Sequence, residues 1–378
     1  MPLPPLSAFY DKLNRSLISI VLIFLILFFA QHILIPVAFA TLFALLLITP
    51  CNFFERLGIN RGLSSLISTL LFVLAGSVVL FFISTQVAAF KNDLPKLGDL
   101  LLAGFDHLQA WLVRKFNIST TSIDEFVHNA TNKTLSNSTS IIEATVGTVS
   151  GALIYLVLIP IYTMLLLYYR GLIVRFFVTV FHPKHTGVVM GVLAKVRYVI
   201  KVYILGLFIE MAIVAVMNCT GFLILGVKYA FLLGVIAALL NVIPYLGIFT
   251  ACVISLLITS TTNTPGTVAG VGIVLLVVHL IDSNIILPKV VGSKVKINVL
   301  ATLLSVLVGS ALWGIAGMFL FIPIIAVLKI IFDSVEELKP WGLLLGEEAG
   351  SVAPKPARKW KSLFGSENKK SSLVVKEN

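Results

Sequence analysis

The chain has 378 residues, 58% of them hydrophobic and 12% charged, with a mean hydropathy of +1.04 and a formal net charge of +11. Soluble domains carry about a quarter charged residues, so this composition excludes a water-facing surface and describes an all-α, polytopic integral membrane protein. The positive balance does not indicate nucleic acid, because Lys and Arg fall in short loops and the C-terminal tail, where they act as orientation signals.

Residues 1–16 are short and carry Lys12 and Arg15. The apolar run after them lacks a small-residue cleavage site, so it reads as an uncleaved first span rather than a signal peptide. Apolar stretches suited to a hydrocarbon core of ~30 Å then follow in order. They cover residues 17–30 and 33–48 (a close pair split by Gln31 and His32), 63–90, 146–169, 202–226, 229–258, 268–287 and 297–331. The expected organisation is an N-terminal membrane part (1–90), an extracytoplasmic insert (91–145), a C-terminal membrane core (146–332) and a cytoplasmic tail (333–378), with six to eight membrane segments.

The insert opens on Leu97, Leu101, Phe105, Leu108 and Leu112, which recur at helical spacing. No second stripe of equal strength is present to bury it, and an exposed stripe of this size meets a partner, so a homo-oligomer is expected. The insert's second part is a polar loop whose Asn-x-Ser/Thr triplets (Asn117, Asn129, Asn132, Asn137) act as glycosylation acceptors only in a eukaryotic secretory setting. Further on, residues 184–201 put Val188, Val192, Val196 and Val199 on one face and read as a surface helix leading into the fifth span. Cys51, Cys219 and Cys252 have no metal-type spacing and read as small apolar packing residues.

Orientation follows from basic residues. Lys12 and Arg15, then Arg56 and Arg61, then six basic residues and no acid between 170 and 201 all belong on the cytoplasmic side, together with the N- and C-termini of a bacterial inner-membrane protein. The span 91–143, with five basic and six acidic residues, belongs outside. If 229–258 crossed once, Lys289, Lys294 and Lys296 would lie outside, against that rule. If it dips and returns, they lie inside, and 297–331 must dip and return as well. Both runs are about ten residues too long for one upright span and both carry breakers: Asn241, Pro244 and Gly247 in one, Gly309, Gly314 and Gly317 in the other. Paired interrupted segments entering from opposite faces mark transporter substrate sites. The competing reading is eight plain spans, two of them tilted and kinked.

Three blocks carry a resemblance. "LGVKYAFLLGVIAALLNVIPYLGIF", "HLIDSNIILPKVVGSKVKIN" and "LVGSALWGIAGMFLFIPIIAVLKII" resemble, in residues and spacing, segments of the autoinducer-2 exporter (AI-2E) family of bacterial membrane permeases. The N-terminal half is similar only in layout and in pieces such as "LIPVAFATLFALLLITP". Ile248, Asn298 and Arg170 depart from the family's usual Pro, His-Pro and acidic residue, which bears on substrate rather than fold. The resemblance implies export of small polar metabolites or signals, or cation/proton antiport.

The residues themselves carry a separate reading. Pro244 removes a backbone donor and frees the carbonyl four residues earlier; the Asn241 side chain can replace that donor, and Gly247 permits a turn at positive φ. The stretch is either a kink satisfied by packing or part of a polar site with Tyr245. Glu210 lies in mid-span, where a charge costs ~3 kcal/mol or more, so it faces the bundle interior. Gly206, Glu210, Met217 and Gly221 form one seam. Glu210 is either a proton or cation coupling site or a hydrogen-bond partner of Asn218, Asn241 or Tyr203. His279 and Asp282 share a face near a span end and, with Asn284 and the Pro288 break, form either a local hydrogen-bond cluster or a proton or substrate relay. Gly309, Gly314 and Gly317, with Pro323 after them, are structural breaks that permit close packing.

The candidate pathway therefore comprises Glu210, Asn241, Pro244, Tyr245, Gly247, His279, Asp282 and Asn284. No catalytic, cofactor or metal motif accompanies it. A small-molecule or ion permease is the first functional reading. Na+/H+-type antiport is the second, and a membrane scaffold acting through the 91–143 insert is the third.

Overall fold

The computed structural model describes residues 6–90, 154–181, 183–243, 246–292 and 297–346. The insert stripe and its Asn-x-Ser/Thr triplets, Pro244, Tyr245, Lys294, Lys296 and the tail beyond 346 lie outside the described residues. The described residues form helices and no strand.

Helix α1 (Leu6–Phe29) is joined to α2 (Gln31–Arg56) by Ala30 alone, and α3 (Arg61–Phe90) follows a short turn. Helices α4 (Ile154–Tyr168) and α5 (Arg170–Val180) meet at a 65° bend. Helix α6 (Thr186–Ile224) runs unbroken for 39 residues, roughly 58 Å. The surface helix expected at 184–201 is thus the first part of α6: no proline stands between Thr186 and Ile224 to separate it. Helices α7 (Ala230–Asn241), α8 (Leu246–Ser260) and α9 (Pro265–Ile281) come next. Helix α9 continues into two π-helical turns, Asp282–Ile286 and Pro288–Gly292. Helix α10 (Val299–Ser334) and the short α11 (Lys339–Leu345) complete the described chain.

Both long interrupted runs fold back. Gly226, at φ 68°, turns the chain out of α6 so that α7 packs back along it, with Gly234 directly against Cys219. Helices α7 and α8 have 12 and 15 residues, about 18 and 22 Å, and neither alone crosses a core of ~30 Å. The Asn263 side chain, just past α8, donates to the Gly226 carbonyl, just before α7, at 3.2 Å. Entry and exit therefore lie at the same end of the bundle.

Helix α10 is long enough to cross as one span, yet it doubles back at Trp313 (φ −131°, ψ 16°) and Gly314 (φ 58°, ψ −138°). The backbones of Gly309 and Gly317 are in contact, with no room for a Cβ on either; in a straight helix they would stand roughly 12 Å apart. At the open end of this second hairpin, Asn298 caps Ala301 N–H at 2.7 Å and donates to the carbonyls of Leu344 (2.7 Å) and Gly346 (3.0 Å). Lys329, on the returning arm, lies beside Gly346.

The two hairpins enter from opposite ends. Trp313 reaches Leu27 and Phe319 stacks on Phe39, so the returning arm of α10 runs in the same direction as α2, towards the α2 C-terminus. There Glu55 pairs with Arg170 at 2.5 Å and with Arg61 at 3.9 Å, tying α2, α3 and α5 together at the basic end. The first hairpin opens at the other end of α6. One buried cluster (Phe222, Leu233, Val271, Leu275) surrounds the first hairpin, and another (Ile35, Ile200, Ile204, Leu320) surrounds the second. The outer faces of α1 and α3 remain apolar and exposed, as lipid contact requires.

Candidate functional site

Between the two buried clusters, in the middle of α6, sits Glu210, 5% exposed. Two other chain breaks converge on it. Asn241 is the last residue of α7, where the first hairpin reaches its tip, and Asp282 is the first residue of the π-helical continuation of α9. The Asn241 amide nitrogen donates to Glu210 Oε1 at 3.3 Å and to Asp282 Oδ2 at 2.8 Å. One carboxamide thus bridges two buried acids that are far apart in sequence.

The local reasons are readable. A π turn adds a residue to the helical circuit and re-aims the side chains around it, a device frequent at functional sites. Here it carries Asp282 inward while Ser283 and Asn284 stay outside. The hairpin tip is short because Gly247 packs against the Leu240 carbonyl, where a Cβ would collide with backbone.

A cavity of about 10 Å³ adjoins the bridge, lined among others by Asn218, Asn241, Ile248, His279 and Asp282. That is room for a single water-sized occupant. Around the bridge and its cavity, four buried polar atoms of the described residues have no hydrogen-bond partner: Glu210 Oε2, Asp282 Oδ1, Asn218 Oδ1 and His279 Nδ1. In an apolar surrounding such atoms are costly unless satisfied by a bound proton, water or ion. Among the described residues no three His, Cys, Asp or Glu side chains form a metal-ion group. The arrangement suits a proton or a lightly coordinated monovalent cation more than a transition metal.

Several sequence expectations change in detail. Asn241 does not replace the donor lost at Pro244: the Leu240 carbonyl accepts from Ile243 N–H at 3.0 Å, and the Asn241 side chain is free for the two acids. Gly247 is not at positive φ; Gly58, Gly226 and Gly314 are the described glycines that are, and Gly247 serves close approach instead. Asn284 is exposed and donates to Leu280 O at 2.8 Å on its own helix, away from the bridge. Asp282 joins Glu210 and Asn241 in the bridge, whereas His279 only lines the adjoining cavity. Pro288 opens the second π turn, whereas Pro323 is buried within the returning arm of α10. Sequence reading treated Asn218 as no more than a hydrogen-bond partner for Glu210, although its position eight residues on, with buried Val214 between, marks the same helix face.

Comparison with known proteins places this geometry in context. The family profile described as AI-2E family transporter matches residues 17–337. The chain is 25% identical to the provisionally named transport protein YueF of Bacillus subtilis over 74% of this chain and 78% of that one. It is 26% identical to the provisionally named permease PerM of Escherichia coli K12, over 84% and 92% respectively. It is 23% identical to the provisionally named transport protein YhhT of the same organism, over 88% and 93%.

Proposed function

The chain belongs to the AI-2E family of membrane transporters, and from that premise we propose that it is a secondary permease of the bacterial inner membrane whose Glu210–Asn241–Asp282 bridge couples solute movement to a proton or cation. The solute class is small, polar metabolites or signalling molecules, moved outward, as the family name suggests. The observation that carries the reading is the bridge itself. Two carboxyl groups are held by one amide at the tip of an interrupted hairpin, in a bundle that a second hairpin enters from the opposite end. Interrupted segments that meet near mid-membrane are the usual construction of a secondary transporter's site, and buried acids there serve ion coupling.

Alternating access follows from this layout. With the bridge closed, the tip of the first hairpin seals one approach to Glu210. Adding a proton or cation to a carboxyl group changes which oxygens the Asn241 amide can serve. The tip is then held differently in the loaded and unloaded states, which is the differential interaction a conformational change requires. The N- and C-termini take the cytoplasmic side, supported by the basic residues at the end where the second hairpin opens. The protein works as a homo-oligomer in the lipid bilayer.

A second reading, cation/proton antiport with no organic solute, is favoured by the size of the cavity, which suits an ion or water rather than a metabolite. The deciding experiment is flux in proteoliposomes carrying an internal pH-sensitive dye, with a panel of small polar metabolites and with Na+ or Li+ offered separately. Proton movement driven by a metabolite supports the permease; movement driven by Na+ or Li+ alone supports the antiporter. Silence toward every solute and ion would remove both.

A further inference from the structure

The tip of the second hairpin is held by a long-range contact of its own. Its tip is Trp313, 7% exposed, whose ring meets Phe321 edge-on at 5.4 Å between centroids. The indole Nε1–H donates to the Leu27 carbonyl at 2.8 Å, across 286 residues of sequence. Leu27 lies in the last turn of α1, just before the break at Ala30, where a helix end leaves carbonyls without their regular partners. In an apolar surrounding both the indole N–H and the carbonyl are costly unpaired, so each is the other's partner.

Three further facts give this contact a consequence for motion. The tip backbone is the least regular stretch of α10, with Gly314 at φ 58°. The side chains of α1 from Leu17 to Phe29 are mostly exposed, so few packing contacts hold that helix. Trp313 belongs to the buried cluster that contains Ile200, Tyr203 and Ile204, and Tyr203 and Gly206 share the buried α6 face that carries Glu210.

We infer that the Trp313 indole and the Leu27 carbonyl form a latch that keeps the second hairpin closed against the α1–α2 elbow, and that access to the Glu210 bridge from the basic end opens by releasing it. The inference rests on the transport reading for its purpose, but not for its test. The first hairpin closes one approach to the acids through Asn241; the second closes the other through Trp313. Trp313 is a positioning residue: it acts on the bridge through the hairpin and does not touch it.

The test measures accessibility. The three native cysteines, Cys51, Cys219 and Cys252, are replaced, and Ser310→Cys reports the hairpin tip. Reaction with a membrane-impermeant maleimide is followed in sealed vesicles that expose the basic end. Trp313→Phe keeps the ring and removes the N–H, so reactivity should rise about tenfold, whereas Trp313→His, which keeps an N–H donor, should stay near the parent. Equal reactivity in all three overturns the latch. If the Phe variant does not accumulate, a protein that keeps only Trp313 and Trp341 of the four tryptophans is read by ¹⁵N indole exchange. The Trp313 N–H should exchange about tenfold more slowly than that of the exposed Trp341, and exchange as fast as Trp341 overturns the latch by itself. Neither readout involves flux. A latched protein that moves no solute counts against the permease reading alone, and an unlatched one that transports counts against this inference alone.

Discussion

The Asn241 carboxamide donates at 2.8 Å to Asp282 while standing 3.3 Å from Glu210, so one side chain at a hairpin tip joins two acids carried by different helices. On the transport reading proposed above, the tip's position depends on the state of both carboxyl groups, and the first two tests below act on this bridge.

Glu210→Gln keeps the size and a hydrogen-bonding group but cannot ionise. Proton-driven flux in proteoliposomes should be abolished, with expression and oligomeric state near normal. Unchanged pH-dependent flux would leave Glu210 with a packing role alone. In that case Glu210→Leu should lower stability by about 1–2 kcal/mol, the worth of an interhelical polar contact in a membrane.

Asn241→Ala removes the donor shared by the acids and leaves both facing each other across a small cavity. We expect loss of coupled flux and a fall in stability of about 1–3 kcal/mol, the cost of stranding buried acceptors. Thermal unfolding in detergent measures the second effect. Asn241→Ala combined with Glu210→Gln should destabilise by less than the sum of the single changes, because the two residues share one network.

Gly247→Ala and Gly317→Ala each place a Cβ into backbone of the facing arm, Leu240 in the first hairpin and Gly309 in the second. Overpacking of this kind costs about 1–3 kcal/mol, so both variants should melt lower than the parent. Gly76→Ala is the control: it sits on an exposed face of α3 with nothing within 4 Å of the new Cβ, and its melting temperature should not fall.

Single cysteines at Thr262 and Lys294 should label from opposite sides of the membrane, Thr262 from outside and Lys294 from inside. The reverse pattern would require 229–258 and 297–331 to cross as plain spans. It would contradict the return of Asn263 to Gly226.

Much of this protein was legible before folding because membranes make sequence speak plainly. A charge or carboxamide in an apolar run is costly, so Glu210, Asn241 and Asp282 stood out one by one. Two runs too long for one crossing, each with breakers in the middle, pointed to hairpins, and basic residues at alternate turns pointed to the same topology. These are local properties, readable from composition, length and spacing alone.

What the chain order hid was who meets whom. Glu210, Asn241 and Asp282 are separated by 31 and 41 residues, and no periodicity links positions across a turn and two helices. The helical face from Glu210 to Asn218 was visible at a four-residue step, but the cavity beside it exists only where three elements close together. Gly247 looked like a residue chosen for positive φ and proved to be one chosen for the absence of a Cβ; that difference depends on the neighbouring backbone, not on the glycine. Trp313 and Leu27 lie near opposite ends of the sequence, and their hydrogen bond is decided entirely by how the second hairpin docks. Sequence by itself determined which groups must be hidden from lipid, because burial cost belongs to each residue singly. Tertiary structure alone decided which of them hide together, because a hydrogen bond belongs to a pair.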